Sequence, residues 1–182
     1  ETRNIRKEAN TPFWWVFSAI VLWNKLFSRK FILDNGLHIP HMQQSEDRIF
    51  MTDIYLGKPR VCAIDDIVYY WMRREKSDQP SLSYRFLDQD YFDRIGSWYY
   101  CIDKLLDSGY QEAHRLLINA ANYLKSLYID FPETENKKNA FDAIHQLMCR
   151  VDWSHDYELF RKIWDIPYNK FAISSYKEFC NA

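Results

Sequence analysis

The chain has 182 residues, with 24 Lys and Arg against 25 Asp and Glu, a net charge of −1 and a pI near 6.6. That length fits one domain, or a domain with a small appendage, and can bury a sizeable core. The near-neutral charge gives no general surface for nucleic acid or an anionic membrane. Only 4 Gly stand against 13 Tyr, 12 Phe and 7 Trp, which favours helices over a glycine-punctuated barrel. Most of these aromatics must fill a core, but Tyr and Trp faces also suit a sugar or base.

Cys62, Cys101, Cys149 and Cys180 show no Cys-x-x-Cys pairing, so reduced thiols in a cytosolic compartment are expected rather than a zinc ribbon or a disulfide framework. Nothing resembles a signal peptide, and the apolar run Phe13 to Trp23 is about half the length needed to span a bilayer. The chain lacks an initiator Met, which suggests an excised portion of something longer.

Residues 1 to 12 are polar and read as a lead-in with a helical turn. Phe13 to Trp23 has no clean period. Asn24 to Asn35 reads as a helix, with Leu26, Phe27, Phe31 and Ile32 near helical spacing and Asn35-Gly36 as its stop. Leu37 to Gln44 is a loop, and Ser45 is placed to cap the next helix, with Glu46 and Asp47 in its first turn. Ile49, Phe50, Ile54 and Tyr55 mark that helix's buried side, and Gly57 closes it. Arg60 to Ile64 reads as a short strand, Ile67 to Trp71 as a second extended piece, and Ser77 to Ser83 as the most linker-like stretch. The edge of such a short sheet should pair with another copy or be covered by Phe13 to Trp23.

Beyond the linker a 3.6-residue period takes over. Tyr91, Phe92, Ile95, Trp98, Tyr99, Ile102, Leu105 and Leu106 predict one helix, ending near Ser108-Gly109. Ala113, Leu116, Leu117, Ala120, Ala121, Leu124, Leu127 and Tyr128 predict a second, ending before Pro132. Phe141, Ile144, Leu147, Met148 and Val151 predict a third, and Tyr157, Phe160, Ile163 and Trp164 a fourth. Short connections imply antiparallel neighbours, and helices paired in this way leave a helical-repeat reading open. The expected fold is α+β and mostly helical, with residues 1–83 as one part and 84–182 as a helical domain.

Four groups could carry chemistry. Glu46-Asp47 could be a general base with a neighbour, although carboxylates at a helix start are common and the dipole favours their ionised form. Tyr69 to Ser77 carries Arg73, Arg74 and Ser77, donors suited to phosphate oxygens; a solvated strand end is an equal reading. His38-x-x-His41 has metal spacing without a third ligand nearby, and an incidental loop pair explains it better. Asp65-Asp66 is simply a strand end before a turn. His114, His145 and His155 stand singly. No phosphate loop, His-Glu-x-x-His helix or Gly-x-Ser-x-Gly elbow is present.

In order, Trp23-Asn24-Lys25-Leu26-Phe27, Gly36-Leu37-His38-Ile39-Pro40, Glu46-Asp47-Arg48-Ile49-Phe50, Val61 to Asp66 and Tyr69-Tyr70-Trp71-x-x-Arg74-x-x-Ser77 resemble the second half of the family 2 glycosyltransferases, bacterial enzymes that build polysaccharides. The resemblance covers roughly residues 20 to 83; Trp71 stands where the family often has a second Tyr. It implies the C-terminal part of a nucleotide-sugar-binding core of the GT-A type, with a short sheet and a helical bundle following, and an inverting single displacement. Asp47 would be the general base, Glu46 would orient it or the acceptor, and Trp23 and Lys25 would shape the acceptor side. Tyr69 and Trp71 would join the substrate site, with Arg74 and Ser77 near the donor diphosphate.

The implied partners are a nucleotide-sugar donor and a glycan acceptor, in the cytoplasm or at the inner face of the membrane, with peripheral membrane association and homo-oligomerisation left open. The family's Asp-x-Asp, which holds Mn²⁺ or Mg²⁺, has no counterpart in its expected setting, since Asp88-Gln89-Asp90 opens a helix after the core. The divalent metal is therefore expected in a full-length parent, on ligands outside this chain, and the isolated chain is expected to be inactive. The alternative is a helical binding or oligomerisation module centred on residues 84 to 182.

Overall fold

The computed structural model describes residues 5–7, 20–64, 67, 69–70, 87–110, 112–132, 134–150, 153 and 157–164. The chain is mostly helical and divides into two compact units, Glu1–Arg85 and Phe86–Ala182.

In the first unit, strand β1 (Ile5–Lys7) pairs antiparallel with β2 (Cys62–Ile64), Arg6 lying opposite Ala63. The expected helical turn near the start is therefore a strand. Three residues with no alternation give no local sign of it, because the partner that fixes it lies across the unit. The strand expected over Arg60 to Ile64 is confined to Cys62–Ile64. The edge that was to be covered by a second copy or by Phe13 to Trp23 is lined on one side by β1. Residues 13–19 and Asp65-Asp66 lie outside the described residues, and Ile67, Tyr69 and Tyr70 belong to no regular element.

Helix α1 spans only Arg29–Asp34, not Asn24 to Asn35. Ser28 ends the extended approach: its Oγ accepts the Phe31 N–H at 3.3 Å, which starts the helix there. Trp23 and Asn24 instead form a turn in which Lys25 N–H reaches Leu22 O, and Leu26 is fully exposed. The predicted stop holds. Gly36, at φ +61°, donates to Leu33 O, and Leu37 N–H reaches Ile32 O, a complete Schellman ending.

Helix α2 (Glu46–Leu56) buries Arg48, Phe50, Met51, Thr52 and Ile54, with Ile49 and Tyr55 half-buried. Ser45 does not cap it with its side chain: at φ 63° it is left-handed and lacks the extended backbone that side-chain capping uses. At the far end the left-handed residue is Lys58, at φ 53°, rather than Gly57. A Cβ on Gly57 would sit 2.8 Å from Phe31 Cζ, so a larger residue here would have to displace the Phe31 ring of α1.

The second unit contains α3 (Asp88–Asp107), α4 (Glu112–Asp130), α5 (Asn136–Met148) and α6 (Tyr157–Trp164). Tyr91 Oη, near the start of α3, donates to Asp130 O at the end of α4, while Tyr99 Oη reaches Ala143 O and Arg150 pairs with Asp103. Helices α3 and α4 thus run antiparallel, and α5 runs parallel to α3. The buried residues follow the periodicity: Ile95, Ile102 and Leu105 from α3, Leu117 and Leu124 from α4, and Phe141, Ile144 and Leu147 from α5. Leu106, placed on the buried face by spacing, is exposed; Val151 lies outside the described residues. Trp153 packs edge-on against Phe160, and its Nε1–H donates to Met148 O at 2.7 Å, which satisfies the indole in the core.

Candidate functional site

Asp47 enters the site from the first turn of α2, where the Arg48 N–H also reaches Ser45 O at 3.2 Å. Its Oδ1 accepts the Arg48 N–H at 2.8 Å. The helix-start argument alone predicts a depressed pKa. Instead, burial pushes the Asp47 carboxyl above its ordinary value, outweighing the Arg48 amide, the Arg48 guanidinium, its own amide and the Lys25 ammonium, all of which pull it down. Desolvation wins because the group is half-buried. Glu46, beside it in the chain, is also half-buried.

Lys25 lies ahead of α1. Its Nζ donates to Val21 O at 2.6 Å and to Asn24 Oδ1 at 2.7 Å. Burial lowers its pKa, and the Asp47 charge raises it back. The two residues therefore sense each other across 22 positions of sequence. One residue on from Leu26, Phe27 meets Phe50 edge-on at 5.5 Å between ring centres, which ties this segment to the buried side of α2.

Trp23 and Tyr69 stack with ring centres 4.8 Å apart and an interplanar angle of 28°. Each keeps close to half of its surface in solvent, 45% and 46% respectively, and Tyr70 is more open still. Two aromatic residues that the sequence offers separately for a substrate site thus form one half-exposed pair. Trp71, Arg74 and Ser77 lie outside the described residues.

Arg48 is a residue that sequence reasoning passed over. It is 6% exposed, in a first turn where the helix dipole disfavours a cation. A basic residue placed directly after two helix-start acids was the available signal.

His38 and His41 are both exposed, and among the described residues no three His, Cys, Asp or Glu side chains gather as a metal site. Asp88 and Asp90 have structural partners: Asp88 Oδ2 accepts from Asn136 Nδ2 at 2.9 Å, and Asp90 Oδ2 accepts the Leu87 N–H at 3.0 Å, half of a capping box. The described residues do not fit the divalent metal that the resemblance implies. No described helix is long and apolar enough to cross a membrane. Comparison with protein-family models, with curated proteins and with solved structures finds no match.

Proposed function

We propose that the chain is the acceptor-side, C-terminal part of an inverting glycosyltransferase of polysaccharide biosynthesis, with Asp47 as its general base. The observation that carries this reading is a half-buried carboxyl whose pKa burial raises toward the range useful to a base. The ordered motifs from Trp23 to Ser77 supply its context. In the reaction, an Asp47 oxygen takes the proton of an acceptor hydroxyl while that hydroxyl's oxygen attacks the anomeric carbon of the donor sugar. The bond to the nucleoside diphosphate breaks on the opposite face, and the diphosphate leaves with the electron pair. Glu46 orients the acceptor or the base, and the half-exposed Trp23–Tyr69 pair offers an aromatic surface to a sugar ring. Trp71 joins the substrate site in this scheme, and Arg74 and Ser77 belong to its donor side. The parent would be a cytoplasmic hexosyltransferase using a nucleotide-sugar, and any divalent metal would be held outside the residues described.

The test is Asp47→Asn in the full-length parent. Transfer should be lost while donor binding persists; turnover at the parental rate would exclude Asp47 as the base.

A second reading, a helical binding or oligomerisation module, draws on the buried core shared by α3 to α6. The coding sequence upstream of Glu1 separates the two: a β-rich segment with an Asp-x-Asp supports the enzyme, and a start codon close to Glu1 supports the module.

A further inference from the structure

Leu26 stands wholly in solvent, at 101% of its reference exposure. It belongs to a segment that the Trp23–Tyr69 stack, with ring centres 4.8 Å apart, joins to a second exposed segment. Leu26 is three residues from Trp23, within about 11 Å even along a stretched chain. The turn closed by Lys25 N–H on Leu22 O shortens that span. On the other side of the stack, Tyr70 adjoins Tyr69 and Ile67 precedes it by two residues, and both are exposed. The stack thus gathers Leu26, Ile67 and Tyr70, from segments distant in sequence, into one neighbourhood of uncovered apolar side chains. Single exposed apolar residues are ordinary, but a group of them marks a binding surface.

Charge points to the occupant. Residues 20 to 33 contain Lys25, Arg29 and Lys30 and no acid, a local excess that the net charge of −1 hides. Lys30 pairs with Asp34, while Arg29, three residues beyond Leu26, is exposed at the start of α1. A protruding aliphatic side chain, Trp and Tyr rings with polar edges, and cations without acids together suit the boundary between lipid headgroups and acyl chains. A sugar ring would use the flat aromatic faces and gives no reason for Leu26 or for the cations. We propose that Leu26 and Tyr70, brought together by the Trp23–Tyr69 stack, form a docking surface for a bilayer that contains anionic lipid, with Arg29 on its headgroup side. Apolar insertion supplies the grip, and the cation adds attraction to the anionic surface. The chain would lie on the bilayer, since no described helix is long and apolar enough to cross one. This surface stands independently of the glycosyltransferase reading.

The experiment sediments the whole chain with vesicles of phosphatidylcholine alone and of phosphatidylcholine mixed with phosphatidylglycerol. The unaltered chain should bind the mixed vesicles, and the neutral ones less strongly. Leu26→Ser should weaken binding to the mixed vesicles about ten-fold, and Leu26→Ser combined with Tyr70→Ser should remove it. Arg29→Gln should weaken that binding about five-fold and leave binding to neutral vesicles unchanged. All three side chains are exposed, so the variants should keep the far-UV spectrum of the unaltered chain. Absence of binding by the unaltered chain, or Leu26→Ser binding as tightly as it does, overturns the docking surface. So does self-association in place of vesicle binding, seen by sedimentation equilibrium and abolished by Leu26→Ser, because the patch would then meet a second copy. Trp23 and Tyr69 are untouched and no sugar is present, so failure here leaves the assignment of Asp47 standing. Full turnover by Asp47→Asn in the parent would in turn leave the docking surface standing.

Discussion

Asp47 illustrates how one side chain can be set against its own fold. Its folded-state pKa is raised, so folding favours the protonated carboxyl. The stability it lends is complete below the ordinary carboxylate range and is lost as pH rises through the raised value. At neutral pH the ionised group is a burden. Asp47→Asn, which resembles the protonated form, should therefore melt at or above the temperature of the unaltered chain at pH 7. That difference should vanish as the pH falls to where Asp47 takes up its proton, and paired thermal melts across pH would show it. A variant that melts lower at pH 7 and recovers nothing in acid would contradict the burial argument. The residue types of this site were legible in the sequence, because acids at a helix start and a Trp-Asn-Lys run are visible as letters. The direction of the pKa shift was not, because helix position and burial pull oppositely and only the fold reveals the burial. Arg48 was missed for the same reason.

At the scale of elements, glycines that look alike serve different ends. Gly36 has open space where a Cβ would go but a left-handed backbone, so Gly36→Ala should cost about 1–2 kcal/mol through strain alone. Gly57 has an ordinary φ and a ring against it, and Gly57→Ala should cost about 1–3 kcal/mol through overpacking. A second change, Phe31→Leu, should relieve Gly57→Ala and leave Gly36→Ala unrelieved; a double-mutant cycle in urea measures both. The segment ahead of α1 offers a similar contrast. Leu26→Ser should fall within about 0.5 kcal/mol of neutral because the side chain is already in water. Phe27→Ala, which loses the contact with Phe50, should cost about 1–2 kcal/mol. If Leu26→Ser proved the costlier change, the helix first expected across Asn24 to Asn35 would have to be restored. Spacing alone placed Leu26 and Phe27 together on a helical face. Ser28 began the helix four residues later and separated them. The four later helices were legible almost to their ends, because amphipathic periodicity sustained over long stretches outweighs local choices.

Over the whole molecule, the buried residues among those described are spread differently in the two units. In the second, four helices supply a continuous core that includes Trp153, Phe141 and Phe160. Residues 86–182 expressed alone should fold, with a helical far-UV spectrum and a single cooperative melt; Trp153→Ala should lower its stability by about 3–5 kcal/mol. A gradual, non-cooperative melt would show that the core needs the rest of the chain. In the first, the fully buried residues among those described all belong to α2, while Trp23, Leu26, Leu33, Ile39, Ile67 and Tyr70 face solvent. No sequence pattern announced the exposure of these described apolar residues, because periodicity reports that a residue is apolar and not whether anything covers it.

The pairing of β1 with β2 has a consequence in time. Ile5 must find Ile64, so this pairing closes only after most of the first unit has been synthesised and brought round, an entropic delay that grows with the length of the loop. The neighbours in the second unit are joined by short turns, and contacts close in sequence form quickly. Of the two units, the later one is thus built to fold faster. The earlier part, which carries Asp47, must hold its strands apart for longer, with its exposed aromatics open to other encounters in the interval.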